Sequence, residues 1–353
     1  MRRRPGGCVT IRAVKVGIQL GYWGRTPPAD LLETLAVVDD VGLDSVWVAE
    51  SWGNDAFTYA AWVAAHTKRV RIGTGIVQMA ARTPTATAMA AITMDHLSGG
   101  RFILGLGASG PQVVEGWYGQ AGSRPLARTR EYVEIIRRIL RREEKLTFDG
   151  EFYQLPYTGP GSMGLGKPLN VMTHPLRADL PIVLGAEGPK NVTQTAEIAD
   201  GWLPLYYSPF RPEVYESQLT AAKPGFEIPA LVNVKFTDDR PDAISEALYP
   251  VKANLGFYIG GMGAKGQNYH TKLMQRMGYE EEALRVQELF FAGEREAAID
   301  AVPEAFCDEI SLVGPPERIK ERLEMWKKSP VTSLLVGGRD PQQLRQLVQL
   351  ADG

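Results

Sequence analysis

The chain has 353 residues, 44% hydrophobic and 23% charged, with a formal net charge of -2 at pH 7. That composition supports a large core, and the near-neutral balance gives no reason to expect nucleic acid or an acidic membrane surface as a partner. Cys8 and Cys307 stand alone without a CxxC, and the four histidines show no HExxH spacing, which argues for a reducing cytoplasmic setting and against a metal site.

Read in order, residues 1–13 carry Arg2-Arg3-Arg4 and then Pro5-Gly6-Gly7, a pattern expected to be a disordered tail rather than a secretory signal. Lys15 to Leu20 is an apolar strand, and Asp30 to Asp40 has helical spacing that stops at Gly42. Ser45 to Ala49 is a second strand, Asp55 to His66 a helix, and Val70 to Gln78 a third strand carrying Gly73 and Gly75. Pro84 opens a helix that closes at Ser98-Gly99-Gly100, and Arg101 to Gly107 is a fourth strand. Pro125 to Arg141 is a periodic helix, and Thr147 to Tyr153 reads as a hairpin around Asp149-Gly150. Strands follow at Pro181 to Gly185, Gly201 to Leu205 and Ala230 to Phe236, with helices at Lys190 to Ala199, Glu213 to Ala222 and Asp242 to Leu255 between and after them. Gly256 to Val313 is expected to be mostly helical; Pro316 to Lys328 is a helix, Val331 to Val336 a last strand, and Pro341 to Leu350 a closing helix. No apolar run is long enough to span a bilayer.

Eight strands separated by helical crossovers predict parallel, right-handed units and an α/β TIM (β/α)8 barrel. An open doubly wound sheet is the rival. The expected organisation is a single domain over 14–353, with insertions after strand 4 (about 143–178) and before strand 8 (about 256–313).

Four strand ends carry candidate chemistry, because ligands bind α/β folds at the carboxyl ends of their strands. Glu50, just past the second strand, is either a helix or loop partner on the surface, or a polar contact to a ring system or a proton handler, and Trp52 is a pocket wall or, by default, simple packing. Glycines within the third strand mark a bulge that only sets curvature, or a kinked peptide that backs a flat cofactor near Gly75, Ile76 and Gln78. Gly105-Leu-Gly107-Ala-Ser-Gly110 contains GxGxxG, but it follows the fourth strand rather than the first, so it is not a dinucleotide fingerprint; it remains a loop where backbone approaches a ligand. Leu184 to Asn191 leads a strand into a helix, where free N–H groups bind phosphate unless Gly188 and Pro189 merely cap. Gly260 to Gly266 is a mobile lid or a plain loop.

GLDSVWVAESW, RIGTGIVQMAARTP, SGGRFILGLGASGPQVVEGWYG and PIVLGAEGPKNVTQTAEIADGW together resemble the luciferase-like monooxygenase superfamily, and within it the coenzyme F420-dependent oxidoreductases. The resemblance implies a TIM barrel, a cytoplasmic homodimer, and hydride transfer between the deazaflavin and a small organic substrate. It also implies a non-prolyl cis peptide at Gly75–Ile76 behind the cofactor ring, with Gln78 beside it and Glu50 as the second-strand acid. Gly107, Ala108 and Ser109 would border the cofactor, and Ala186, Glu187, Gly188, Lys190 and Asn191 would hold its phosphate. The sugar-phosphate dehydrogenase branch has a histidine where this chain has Ser51 and a catalytic glutamate where it has Gly110. Glu50, Trp52 and Glu115 are left as catalytic candidates. Two alternatives stay open: an FMN-dependent monooxygenase on the same barrel, and a deazaflavin-binding protein without turnover.

Overall fold

The computed structural model describes residues 14–263 and 268–352; the expected tail over 1–13 and the 264–267 part of the glycine-rich segment lie outside them. The first half runs β1 (Lys15–Gly21), α1 (Leu31–Val41), β2 (Ser45–Val48), α2 (Ala56–Ala65), β3 (Arg71–Thr74), β4 (Val77–Gln78), α3 (Pro84–Leu97), β5 (Phe102–Gly107), α4 (Pro111–Val114) and α5 (Pro125–Arg141). A hairpin of β6 (Phe148–Asp149) and β7 (Gln154–Leu155) follows, then β8 (Ile182–Gly185), α6 (Pro189–Ile198), β9 (Gly201–Leu203), α7 (Glu213–Glu216) and β10 (Pro229–Phe236). The last third holds α8 (Ala243–Gly261), α9 (Tyr269–Arg276), α10 (Glu280–Phe291), α11 (Arg295–Asp300), α12 (Glu304–Glu309), β11 (Ser311–Gly314), α13 (Pro316–Lys328), β12 (Ser333–Val336) and α14 (Pro341–Asp352).

The punctuation of the sequence does its local work. Gly42 ends α1 in the left-handed conformation (φ 85°), where its N–H donates to Val38 O. Asp55 caps α2 by accepting from Thr58 N at 2.6 Å, and Thr83 caps α3 ahead of Pro84. Four expectations change. The third strand is two pieces, β3 and β4, because the chain leaves the ladder at Gly75–Ile76. The helix expected from Glu213 stops after one turn, near Ser217, and α8 runs past Leu255 to Gly261. An additional short strand, β11, emerges from the segment expected to be helical and extends the outer half of β10.

Apart from the hairpin, the strands form one curled, wholly parallel sheet in the order β11-β10-β12-β1-β2-β3-β5-β8-β9, with β4 on β5. The curl brings β9 round toward β10. An isolated parallel bridge joins Gly201 to Glu227, with Trp202 N donating to Glu227 O at 2.8 Å and Glu227 N to Asp200 O at 2.9 Å. At the same rim Arg71 reaches across from β3 to the Glu227 carboxylate at 2.8 Å and to Asp44 at 2.6 Å.

Side chains alternate between two environments along each strand. One set, Trp47, Ile103, Val183, Leu203 and Leu335, packs together on the concave side with Ile76 and Leu231. The other set, including Val46, Val48, Leu104, Ile182 and Leu184, belongs to the larger core under the helices. This two-sided burial explains why the strands read as continuous apolar runs.

Candidate active site

The alternation decides where each candidate side chain points. On β8, Val183 faces the axis of the curled sheet, and a Cβ on Gly185 would lie 3.2 Å from Ile76 Cγ2 on the same side. Glu187 lies two residues beyond the end of β8, just before Gly188, the cap of α6. On β2, Trp47 faces the axis, so Val48 and Glu50 fall on opposite parity from it or beyond the strand end. Glu50 is directed to the helix layer by its bonds: Oε1 accepts from Gln78 N at 2.7 Å and Arg82 Nη1 at 3.0 Å, and Oε2 accepts from Ala56 N at 3.1 Å. Its side chain is 3% exposed. Arg82 also pairs with the α2 cap, Asp55. Glu50 is therefore a buried clamp that ties the end of β2 to β4 and to the start of α2.

Between β3 and β4 the Gly75–Ile76 peptide is cis. Gly75 N donates to Val48 O at 2.6 Å, Glu50 N to Ile76 O at 3.2 Å, and Gln19 Nε2 to Gly75 O at 3.3 Å. Ile76 projects into space that two glycines leave open: a Cβ on Gly107 would come within 2.8 Å of Ile76 Cδ1, and one on Gly185 within 3.2 Å of Ile76 Cγ2. Gly105 is more constrained still, since a Cβ there would sit 1.6 Å from Thr74 O. Thr74 Oγ1 secures the same crossing by bonding Gly105 O at 2.9 Å and Gly105 N at 2.8 Å. Beside this shelf, Gln19 Oε1 and Gln78 Oε1 are buried and have no partner among the described residues. Buried acceptors of this kind call for a donor, which an ordered water or a ligand with N–H groups supplies.

The loop after β5 carries Ala108, half-buried, and Ser109, exposed, with φ at 62°. Glu115 is exposed and accepts from Gly122 N at 3.3 Å, so it holds its own loop together. Trp52 and Trp117 are 55% and 63% exposed, flanking the strand ends rather than filling the core. Burial, with the Glu50 charge nearby, pushes the Tyr118 phenol up.

At the turn into α6, Ala186 is buried and its carbonyl accepts from Trp202 Nε1 at 2.7 Å. Gly188 is the cap residue and Pro189 the first helical position; Asn191 N donates back to Gly188 O at 2.9 Å. Lys190 is exposed and lines a groove of about 330 Å³ on the outer flank of α6, with Arg130, Thr193 and Glu197. A cation reaches the turn from α9: Arg276 Nη2 donates to Glu187 O at 3.3 Å while its buried Nε has no partner among the described residues.

Glu187 accepts from Leu205 N at 3.1 Å through Oε1. Burial pushes its carboxyl up to about 7, against the pull of the Leu205 N–H and of Arg276. Around it stand Tyr206, Tyr258 and His270, with ring centroids 5.9 Å (Tyr206–Tyr258), 5.7 Å (Tyr206–His270) and 5.1 Å (Tyr258–His270) apart. Desolvation holds the His270 imidazole down to about 4, so it is neutral at pH 7. Gln19, Tyr206, Tyr258, His270 and Arg276 were not singled out by the sequence pattern. Only Gln19 had a signal there, two residues after Gly17 on β1; the others come from loops and late helices whose position relative to the sheet is set by folding. A larger cavity of about 620 Å³, lined by Tyr207, Tyr215, Leu219 and Met325 among others, opens between the α7 region and α13, away from these strand ends.

Among the described residues no group of three or more His, Cys, Asp or Glu is gathered to hold a metal ion, and no helix is long and apolar enough to cross a membrane.

A model of the family described as luciferase-like monooxygenase matches residues 13–333. The chain is 48% identical over 346 residues to a Mycobacterium tuberculosis protein provisionally named a coenzyme F420-dependent oxidoreductase, covering 96% of this chain and 99% of that one. It is 28% identical over 328 residues to a 5,10-methylenetetrahydromethanopterin reductase of Archaeoglobus fulgidus, covering 88% and 91%. The fold matches that of the coenzyme F420-dependent tetrahydromethanopterin reductase of Methanopyrus kandleri with a TM-score of 0.76 at 22% identity, over 96% and 98% of the two chains.

Proposed function

The chain belongs to the luciferase-like monooxygenase family, and from that premise we propose that it is an F420-dependent oxidoreductase acting on a small organic substrate. The observation that carries the reading is the shelf at Ile76, kept clear by Gly107 and Gly185 and flanked by two orphaned glutamine oxygens. A flat ring with N–H groups on one edge fits that combination: Ile76 supports its face, and Gln19 Oε1 and Gln78 Oε1 accept from its edge. The anionic tail would lie at the start of α6, against the N–H of Gly188 and the Arg276 guanidinium, with Ala186, Glu187 and Asn191 lining the turn. The high identity to a relative named for F420 supports the deazaflavin over FMN.

A bound deazaflavin supplies the hydride chemistry; the protein supplies binding, orientation and a dry surface. Glu50 holds the bulge in place through Gln78 N and Ala56 N, and Tyr206, Tyr258 and His270 present an aromatic wall in which the substrate would sit. We read the curled sheet as a closed (β/α)8 barrel, a reading supported by the Gly201–Glu227 bridge, and the chain over 14–353 as one domain with insertions at about 143–178 and 256–313. A cytoplasmic homodimer completes the proposal; α3 offers an apolar outer surface, with Met89 60% and Leu97 67% exposed.

Fluorescence titration of the purified protein with F420 and with FMN tests the cofactor. Saturable F420 quenching with weaker or no FMN binding is expected; tight FMN binding with none for F420 overturns the reading. A substrate panel with reduced and oxidised F420 then assigns direction and substrate class.

A further inference from the structure

We propose that Glu187 is the proton-exchanging residue of this site: as an anionic cofactor binds at the start of α6, the carboxyl takes up a proton and is held as a neutral acid. The proposal rests on the cofactor reading above and adds a role for a residue that the family resemblance placed only in the phosphate turn.

Position comes first. Glu187 lies two residues beyond the end of β8 and immediately before Gly188, the cap of α6, in the turn where the anionic tail would lie. Its fixed contact follows: Leu205 N donates to Oε1 at 3.1 Å, and Oε2 has no hydrogen-bond partner among the described residues. The carboxyl is thus held by one oxygen, with the other free to meet solvent or ligand.

The groups facing it from each packed element leave it as the titrating one. Among the described residues Arg276 on α9 is the single cation on this side, and it spends Nη2 on the Glu187 main-chain oxygen. His270, also on α9, is neutral at pH 7 because burial depresses it to about 4. Tyr206 after β9, Tyr215 on α7 and Tyr258 on α8 are all raised by burial, each with a further upward push from the Glu187 charge. Tyr22, beyond β1, faces Tyr258 and is 52% exposed. Lys190 on α6 lines the outer groove instead.

A ligand laid over the shelf removes the remaining water from Oε2 and brings a negative tail to the start of α6, one residue beyond. Both effects disfavour the carboxylate. Protonation removes repulsion between two anions in one turn and leaves the Arg276 charge to the ligand.

Isothermal titration of the full chain with F420, from about pH 6 to about pH 9 in two buffers of different ionisation enthalpy, tests this directly. Wild type is expected to take up close to one proton per F420 bound above about pH 7, with affinity falling about tenfold per pH unit there. Glu187→Gln, checked for fold by circular dichroism, is expected to bind with no such uptake and a flat affinity. F420 binding by wild type without proton uptake, or the same uptake in the variant, overturns the proposal while leaving the cofactor reading intact. No F420 binding at any pH overturns both.

Discussion

The raised Glu187 carboxyl makes a prediction about stability that needs no cofactor. The group moves from an ordinary 4.5 to about 7 on folding, chiefly through desolvation. Below about pH 4.5 it is neutral in both folded and unfolded chains and contributes nothing to the pH dependence. As pH rises from about 4.5 to about 7 the unfolded chain ionises it freely while the folded chain does not, so stability falls; above about 7 the loss is complete. A tenfold change in proton affinity on folding is worth about 1.4 kcal/mol, so the full effect is about 3 kcal/mol, reduced to about 1–3 kcal/mol because the residue keeps some open surface. Glu187→Gln keeps the acceptor for Leu205 N and removes the titration. Urea unfolding of the cofactor-free protein is therefore expected to give similar midpoints for the two proteins near pH 5, and a more stable variant at pH 8 by about 1–3 kcal/mol. A variant that is less stable than wild type at pH 8, or a gap that does not change with pH, would refute the reasoning and mean that Glu187 is a charge stabilised by Arg276.

Arg82→Met strands the Glu50 carboxylate, whose side chain is 3% exposed, and is expected to cost about 3–5 kcal/mol in denaturant unfolding; a loss under 1 kcal/mol would mean that Gln78 N and Ala56 N suffice. Gly105→Ala places a Cβ 1.6 Å from Thr74 O and is expected to prevent accumulation of folded protein, seen as loss of soluble expression. Gly107→Ala meets the Ile76 side chain, 2.8 Å from Cδ1 and 2.9 Å from Cγ1, and no backbone atom is among its close neighbours, so the protein is expected to fold but to bind F420 at least about tenfold more weakly, consistent with overpacking costs of about 1–3 kcal/mol. Arg276→Met is expected to weaken F420 binding by about 2 kcal/mol and Lys190→Ala by less than about 0.5 kcal/mol, both read by fluorescence titration; the reverse order would return the phosphate contact to Lys190.

Much of the frame was legible from residue order alone. Gly42, Pro84, Gly99 and Pro125 mark helix ends because a φ above zero cannot continue a helix and a missing N–H does no harm in its first turn, and the helices stop or start as those residues require. The parallel sheet followed from apolar strands joined by helical crossovers. Sequence likewise located the break near Gly75, since glycines in a buried strand mark close backbone approach, here of Thr74 O to Gly105.

What residue order left open was the face of each strand. A strand buried on both sides is apolar at every position, so the period of two says that Val183 and Gly185 share a side without saying which side. Only the folded chain set Glu187 against Leu205 N beside Arg276 and sent Glu50 to Ala56 N and Arg82 in the helix layer, giving two superficially similar carboxylates opposite surroundings. The same holds for the cation of the turn: Lys190 is adjacent in sequence but lies on the outer flank of α6, whereas Arg276 arrives from 89 residues away, at the end of α9. Local patterns determine which elements form; the direction of a side chain and the company of a charge are set by contacts between elements distant in sequence, and those exist only in the folded chain.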